Sequence, residues 1–116
     1  MSNARHISQM QETQIAQAWA SFNGSTNTID DSFNVTSITD RSGGNPGQYV
    51  VNFENTLTNT DYAVVTSACV SNDGRVSSVW PQDKLTSSVN IFALPNYGTI
   101  SYVDVGEMSI AVFSAS

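Results

Sequence analysis

Histidine, cysteine and cations are almost missing from this chain. Of 116 residues, one is His, one is Cys and four are Lys or Arg. His6 lies near the N-terminus and Cys69 lies far from it, in the apolar run YAVVTSACV. One His and one Cys cannot supply the three or four ligands of a zinc site, so no metal centre is expected. An intrachain disulfide is excluded. Cys69 has no neighbouring His to activate it, and it reads as a small buried hydrophobe. A Ser-His-Asp triad has no histidine to draw on beyond residue 6. Arg5, Arg41, Arg75 and Lys84 form no basic stripe, and the formal net charge is −6. Neither nucleic-acid binding nor attraction to an anionic membrane is therefore expected.

Long apolar runs are absent too. Nothing approaches the roughly 18 residues of a membrane span, and MSNARHISQMQETQIAQAW has no apolar signal core. SGGNPG is glycine-rich but lacks the Lys and the following helix of a phosphate loop. Paired carboxylates are the remaining route to acid–base chemistry. Asp30 and Asp31 are adjacent, and neighbours on a strand point to opposite faces, which is poor geometry for sharing a proton. A calcium site from these two and loop carbonyls lacks the spacing of a helical calcium loop, so they read as solvated turn carboxylates. No enzyme activity and no cofactor are expected.

What is present is β-forming sequence. Charged residues make up only 12% and hydrophobic residues 40%, so the surface must be largely Ser, Thr, Asn and Gln. That composition suits secreted, β-rich and virion proteins, and the acidity keeps an abundant protein soluble. The sequons at Asn23 and Asn34 carry no weight without a secretory route. After Trp19, short runs of aromatic and β-branched residues recur about every ten residues between turn signals. AWASF (18–22), SFNVTSI (32–38), QYVVNF (48–53), YAVVTSACV (62–70), VSSVW (76–80), SVNIFAL (88–94), ISYVDV (100–105) and EMSIAVFSA (107–115) read as strands. Residues 32–53 form a hairpin about RSGGNPG, with Tyr49, Val51 and Phe53 inward and Phe33 sharing a face with Val35. YAVVTSACV is apolar on both parities and is expected to be central, covered on both faces. Pro81 is expected to end its strand.

Residues 2–18 differ. They hold no Gly or Pro and are rich in Gln, Ala, Met and Glu. Ile7, Met10, Gln14 and Ala18 recur on one helical face, a seam suited to meeting copies of itself around an axis. A frayed or partner-dependent arm fits the same residues. The expected architecture is an all-β antiparallel sandwich of about eight strands preceded by a short N-terminal α-helix. Residues 1–18 form the leader, an anchor or trimer stem, and 19–116 the sandwich.

Trp19, Trp80, Tyr97 and Tyr102 suit core or interface packing. Trp80 beside Pro81 also suits cover for a sheet edge. Tyr97, with Asn96 in the PNYG turn, has the composition of a glycan contact.

Several stretches resemble, in order, a β module found at the C-terminal ends of tail-fibre proteins of tailed bacteriophages, cyanophages among them. Trp19, Phe22, Asn23 and Gly24 match its opening Trp-x-x-Phe-Asn-Gly. Ser32 through Asp40 match Ser-Phe-Asn-Val-x-Ser-Ile-Thr-Asp, with Thr36 at the variable place. Tyr49, Val51, Asn52 and Phe53 match Tyr-x-Val-Asn-Phe; Tyr62 opens a matching Tyr-Ala-Val strand. Ser109 to Phe113 resemble the closing Ser-Val-Ala-Val-Phe. The likeness covers nearly all of 19–116, and its most specific run is 32–40. It implies a non-catalytic virion structural protein, a homotrimeric β-sandwich knob on the exterior of the particle. Such a protein is made in the host cytoplasm and contacts other capsid or tail proteins. Fibre modules usually end a long shaft, and the short leader here points to a fibre or spike tip or to a capsid decoration protein. The alternative is a receptor-recognition module that binds host-surface glycan.

Overall fold

The computed structural model describes residues 16–41, 47–69, 76–95 and 106–114. The leader residues before Ala16, the expected strand at 100–105, Asn96, Tyr97, Tyr102 and the Cys69 side chain lie outside this description. Among the described residues eight strands are present: β1 (Ala18–Asn23), β2 (Thr28–Phe33), β3 (Val35–Asp40), β4 (Gln48–Phe53), β5 (Ala63–Cys69), β6 (Val76–Gln82), β7 (Ser88–Pro95) and β8 (Glu107–Phe113). They form two four-stranded antiparallel sheets, ordered β2-β1-β8-β5 and β3-β4-β7-β6.

The sheets are held face to face by strict alternation on their central strands. Ala18, Ala20 and Phe22 of β1 and Met108, Ile110 and Val112 of β8 point inward from the first sheet. Tyr49, Val51 and Phe53 of β4 and Val89, Ile91 and Ala93 of β7 answer them from the second. The Phe22 and Tyr49 rings meet edge-on across the gap, 5.6 Å between centroids. This is the β-sandwich read from the sequence, and the inward face of β4 is the expected one.

Ala18 is a correction. It opens β1, pairs with Val112 and is fully buried, so it is a core residue rather than the end of a helical contact seam. The Gln17 amide donates to the Val112 carbonyl at 2.7 Å, which extends this pairing one residue further.

The run SFNVTSI is not one strand. Asn34 divides it into the end of β2, in the first sheet, and the start of β3, in the second. Its φ of 57° lies in the left-handed region, which an asparagine enters at less cost than most residues. The Asn34 amide Nδ2 donates to the carbonyls of Gln17 (3.1 Å) and Asn55 (3.2 Å), and its Oδ1 accepts from the Asn55 amide at 2.7 Å. Phe33 is therefore not on a face with Val35: it is 52% exposed on the first sheet, while Val35 is buried under the second. A bulge then leaves Thr36 without a partner on β4, so Val35 and Ile38, three apart, both reach the core.

β5 is also a correction. It lies at an edge, paired to β8, and shows the pattern of a strand covered on one face. Val64, Thr66 and Ala68 are half-buried, whereas Ala63, Val65 and Ser67 are exposed. Apolar residues on both parities do not mark a central strand here, because the outer face is left open. Nor does Pro81 end β6, which continues to Gln82. β6 is an edge strand, where a missing N–H is tolerated.

The crossing from β4 to β5 is fastened by Tyr62. Its ring is 2% exposed and meets Phe53 edge-on at 6.1 Å. Its hydroxyl donates to the carbonyls of Leu85 (2.8 Å) and Ser88 (3.3 Å), and Lys84 Nζ donates to its carbonyl at 2.9 Å. Burial pushes the Tyr62 phenol from 10.0 up to about 12. Below pH 10 both the folded and unfolded states keep this proton. Between about 10 and 12 only the unfolded chain loses it, so this group's stabilisation falls as pH rises through that window. Denaturant melts from pH 9 to 12 should show a shallower decline for Tyr62→Phe than for the native chain.

The two substitutions Asn34→Ala and Asn34→Gly separate backbone from side-chain contributions. Both lose the three side-chain hydrogen bonds, but only Ala also meets the left-handed backbone penalty. Asn34→Ala should cost about 2–3 kcal/mol and Asn34→Gly about 1 kcal/mol less, read from urea unfolding.

Candidate functional site

Three of the described carboxylates, those of Asp31, Asp40 and Asp83, accept hydrogen bonds from the chain itself. Asp30 and Asp31 are both exposed, and Asp30 is the extra residue of a bulge in β2. Asp31 Oδ1 accepts from the Ser32 amide at 2.9 Å. Asp40 Oδ1 accepts from Asn27 Nδ2 at 3.0 Å, and Asp83 Oδ2 from Asn90 Nδ2 at 3.1 Å. Among the described residues no three His, Cys, Asp or Glu side chains gather into a metal-holding group.

The outer face of the first sheet has a different character. Trp19 of β1 stands opposite Phe33 of β2 on one side and Ala111 of β8 on the other, and Ala111 stands opposite Val65 of β5. Strand register thus draws one apolar row, Phe33–Trp19–Ala111–Val65, across the whole width of the sheet. Phe113 and Ala63 pair beside it. On the other flank runs a polar row, Asp31–Ser21–Ser109–Ser67. Trp19 is 36% exposed, Val65 59% and Phe113 38%. With Phe33, these side chains leave on the order of 300 Å² of apolar surface in water, comparable to the largest patch on an ordinary monomer, which is often functional. A shallow depression of about 280 Å³ lies between the two rows, lined by Trp19, Ser21, Val65, Ser67, Ser109 and Ala111 among others.

The row exists because of local sequence. Trp19 alternates with the buried Ala18 and Ala20, so its ring must face outward. Phe33 faces outward because Asn34 ends the strand and turns the chain away. Where that turn occurs, Gln17, Phe33, Asn34, Asn55 and Leu57 border an open cleft of about 340 Å³.

The outer face of the second sheet carries a mixed row. Gln48 of β4, Phe92 of β7 and Trp80 of β6 stand in register. The Trp80 and Phe92 rings lie 5.8 Å apart at 42°, and the Arg41 guanidinium sits 5.2 Å above Phe92. Arg41 Nη1 also donates to Gln48 Oε1 at 3.3 Å. Trp80, on the edge strand β6, thus packs inward along the sheet against Phe92 of the central strand β7.

Of the residues singled out from sequence, Ile7, Met10 and Gln14, expected at an interface between copies, lie outside the described residues. So do Asn96 and Tyr97, the expected glycan contact. Ala18 is in the core. Phe33, Val65 and Phe113 form the exposed face without having been singled out. The alternation in AWASF and EMSIAVF does carry the signal for Trp19 and Phe113, since each lies on the parity opposite the core. No family model, curated protein or solved structure matches this chain.

Proposed function

We propose that this protein is a non-catalytic structural subunit of a bacteriophage particle, a β-sandwich knob that assembles with copies of itself and with other virion proteins. The observation that carries the reading is the uncharged apolar row across the outer face of the first sheet. A lone small protein gains nothing by presenting Trp, Phe and Val in line, whereas a subunit of an assembly does. The tail-fibre resemblance of 32–40 supports the same reading. Those residues build the sheet switch at Asn34, so the likeness rests on residues that shape the fold. The place on the particle is a fibre or spike tip, or the capsid exterior as decoration, and the leader holds three copies together through Ile7, Met10 and Gln14.

A glycan-binding role is the second reading. Trp80 favours it, because it is only half-buried and lies with the Arg41 guanidinium over the buried Phe92 ring, so an indole with a cationic donor nearby is left for a sugar face. β7 ends at Pro95, which places Asn96 and Tyr97 next in the chain. Retention on immobilised host polysaccharide that is lost on Tyr97→Ala would favour it over a purely architectural role.

Two measurements test the primary reading. Antibody against the chain should label purified phage particles, and particles free of the protein would contradict it. Light scattering should give the full chain a mass that is a multiple of three protomers. A chain beginning at Ala16 keeps the Gln17 and Ala18 contacts of β1 and should lose that factor of three.

A further inference from the structure

Sheet edges present unpaired backbone groups, and proteins usually blunt them with bulges, proline or charge. Three of the four edges here are blunted in this way. β2 carries the Asp30 bulge and two carboxylates. β3 carries the Thr36 bulge. In β6 the register shifts between Val76 and Ser78, leaving Ser77 as the extra residue, and Pro81 removes a donor further on.

β5 is the exception. Its seven residues, AVVTSAC, hold no charge, proline or glycine. Its ladder to β8 runs from Ala63 to Cys69 without a register shift. Among the described residues no strand pairs with its other side. The Thr66 hydroxyl donates to the Val79 carbonyl of β6 at 3.3 Å, which fixes the inward face and leaves Ala63, Val65 and Ser67 outward.

We propose that β5 pairs antiparallel, about a two-fold axis, with β5 of a second copy of this chain. Charge selects this edge for a contact between copies. At net charge −6, copies repel one another, and β5 contributes no carboxylate to a contact. The strand is also self-complementary. With Thr66 on the axis, Val65 stands opposite Ser67 of the second copy, and Val64 opposite Ala68. Odd positions meet odd positions, so outward residues stay outward in both copies and the two sheets join into one. The apolar row, which ends at Val65, then comes to the junction from both sides. This contact uses no leader residue and stands independently of the proposed role in a virion.

Val65→Lys tests it, with Val65→Thr as the control. Val65 is 59% exposed and points away from the core, so neither change should move the melting temperature of the dissociated chain. On the full chain, Val65→Lys should halve the solution mass across a concentration series, while Val65→Thr leaves it intact. Hydrogen exchange should show the β5 amides that point away from β8 protected in the native chain and fast in Val65→Lys. Raising ionic strength should tighten the association of the native chain. An unchanged mass with fast β5 amides would mean an open edge and overturn the proposal. An unchanged mass with amides slow in both proteins would overturn it in favour of cover by the chain's own segments. Loss of the factor of three with the factor of two retained would count against the leader contact alone.

Discussion

One residue decides how the inside and outside of this sandwich are divided. Asn34 takes a left-handed backbone conformation between β2 and β3 and carries the chain from one sheet to the other with no loop. Its side chain replaces the contacts a loop would make, joining Gln17 before β1 to Asn55 after β4. Everything beside it is set by that turn. Val35 enters the core, Phe33 is left on the outer surface, and Phe33 becomes the first member of the apolar row. Core and outer apolar row thus have a common origin in a three-residue stretch, Phe-Asn-Val.

The two outer faces divide the remaining surface. The second sheet covers Phe92 with Trp80 and Arg41, so its large apolar ring is largely out of water. The first sheet leaves Trp19, Phe33, Val65 and Phe113 in water and places the hydroxyls of Ser21, Ser109 and Ser67, with Asp31 at the β2 end, beside them. Among the described residues, carboxylates sit at the β2 bulge and beside it, at strand ends and in the turn after β6. What the described surface leaves without charge is the apolar row of the first sheet and the β5 edge.

Much of this architecture was legible in the sequence because two-residue alternation is a strong signal. AWASF, QYVVNF and EMSIAVF each place every second residue in the core, and the structure buries Ala18, Ala20, Phe22, Tyr49, Val51, Phe53, Met108, Ile110 and Val112. What was not legible had physical reasons. β2 reads TIDDSF, and two adjacent Asp residues mask a strand that forms because its neighbour β1 pairs with it. The division of 32–38 depends on the φ of one asparagine, and alternation counts through such a residue without noticing it. β5 was misplaced because a strand with apolar residues on an open outer face has the same composition as one buried on both faces. Its exposed Val65 distinguishes the two. The candidate contact face was legible only in part, since Trp19 and Phe113 follow from parity but Phe33 and Val65 require the turn at Asn34 and the strand order.

The central claim is that the outer face of the first sheet is where this protein meets other molecules. Covalent footprinting of the full chain, dilute and then assembled, tests it most directly. The account predicts that Trp19, Phe33 and Phe113 lose reactivity on assembly while Leu85, exposed elsewhere at 53%, keeps its own. Assembly that leaves Trp19 and Phe33 as reactive as in the dilute protein would contradict it.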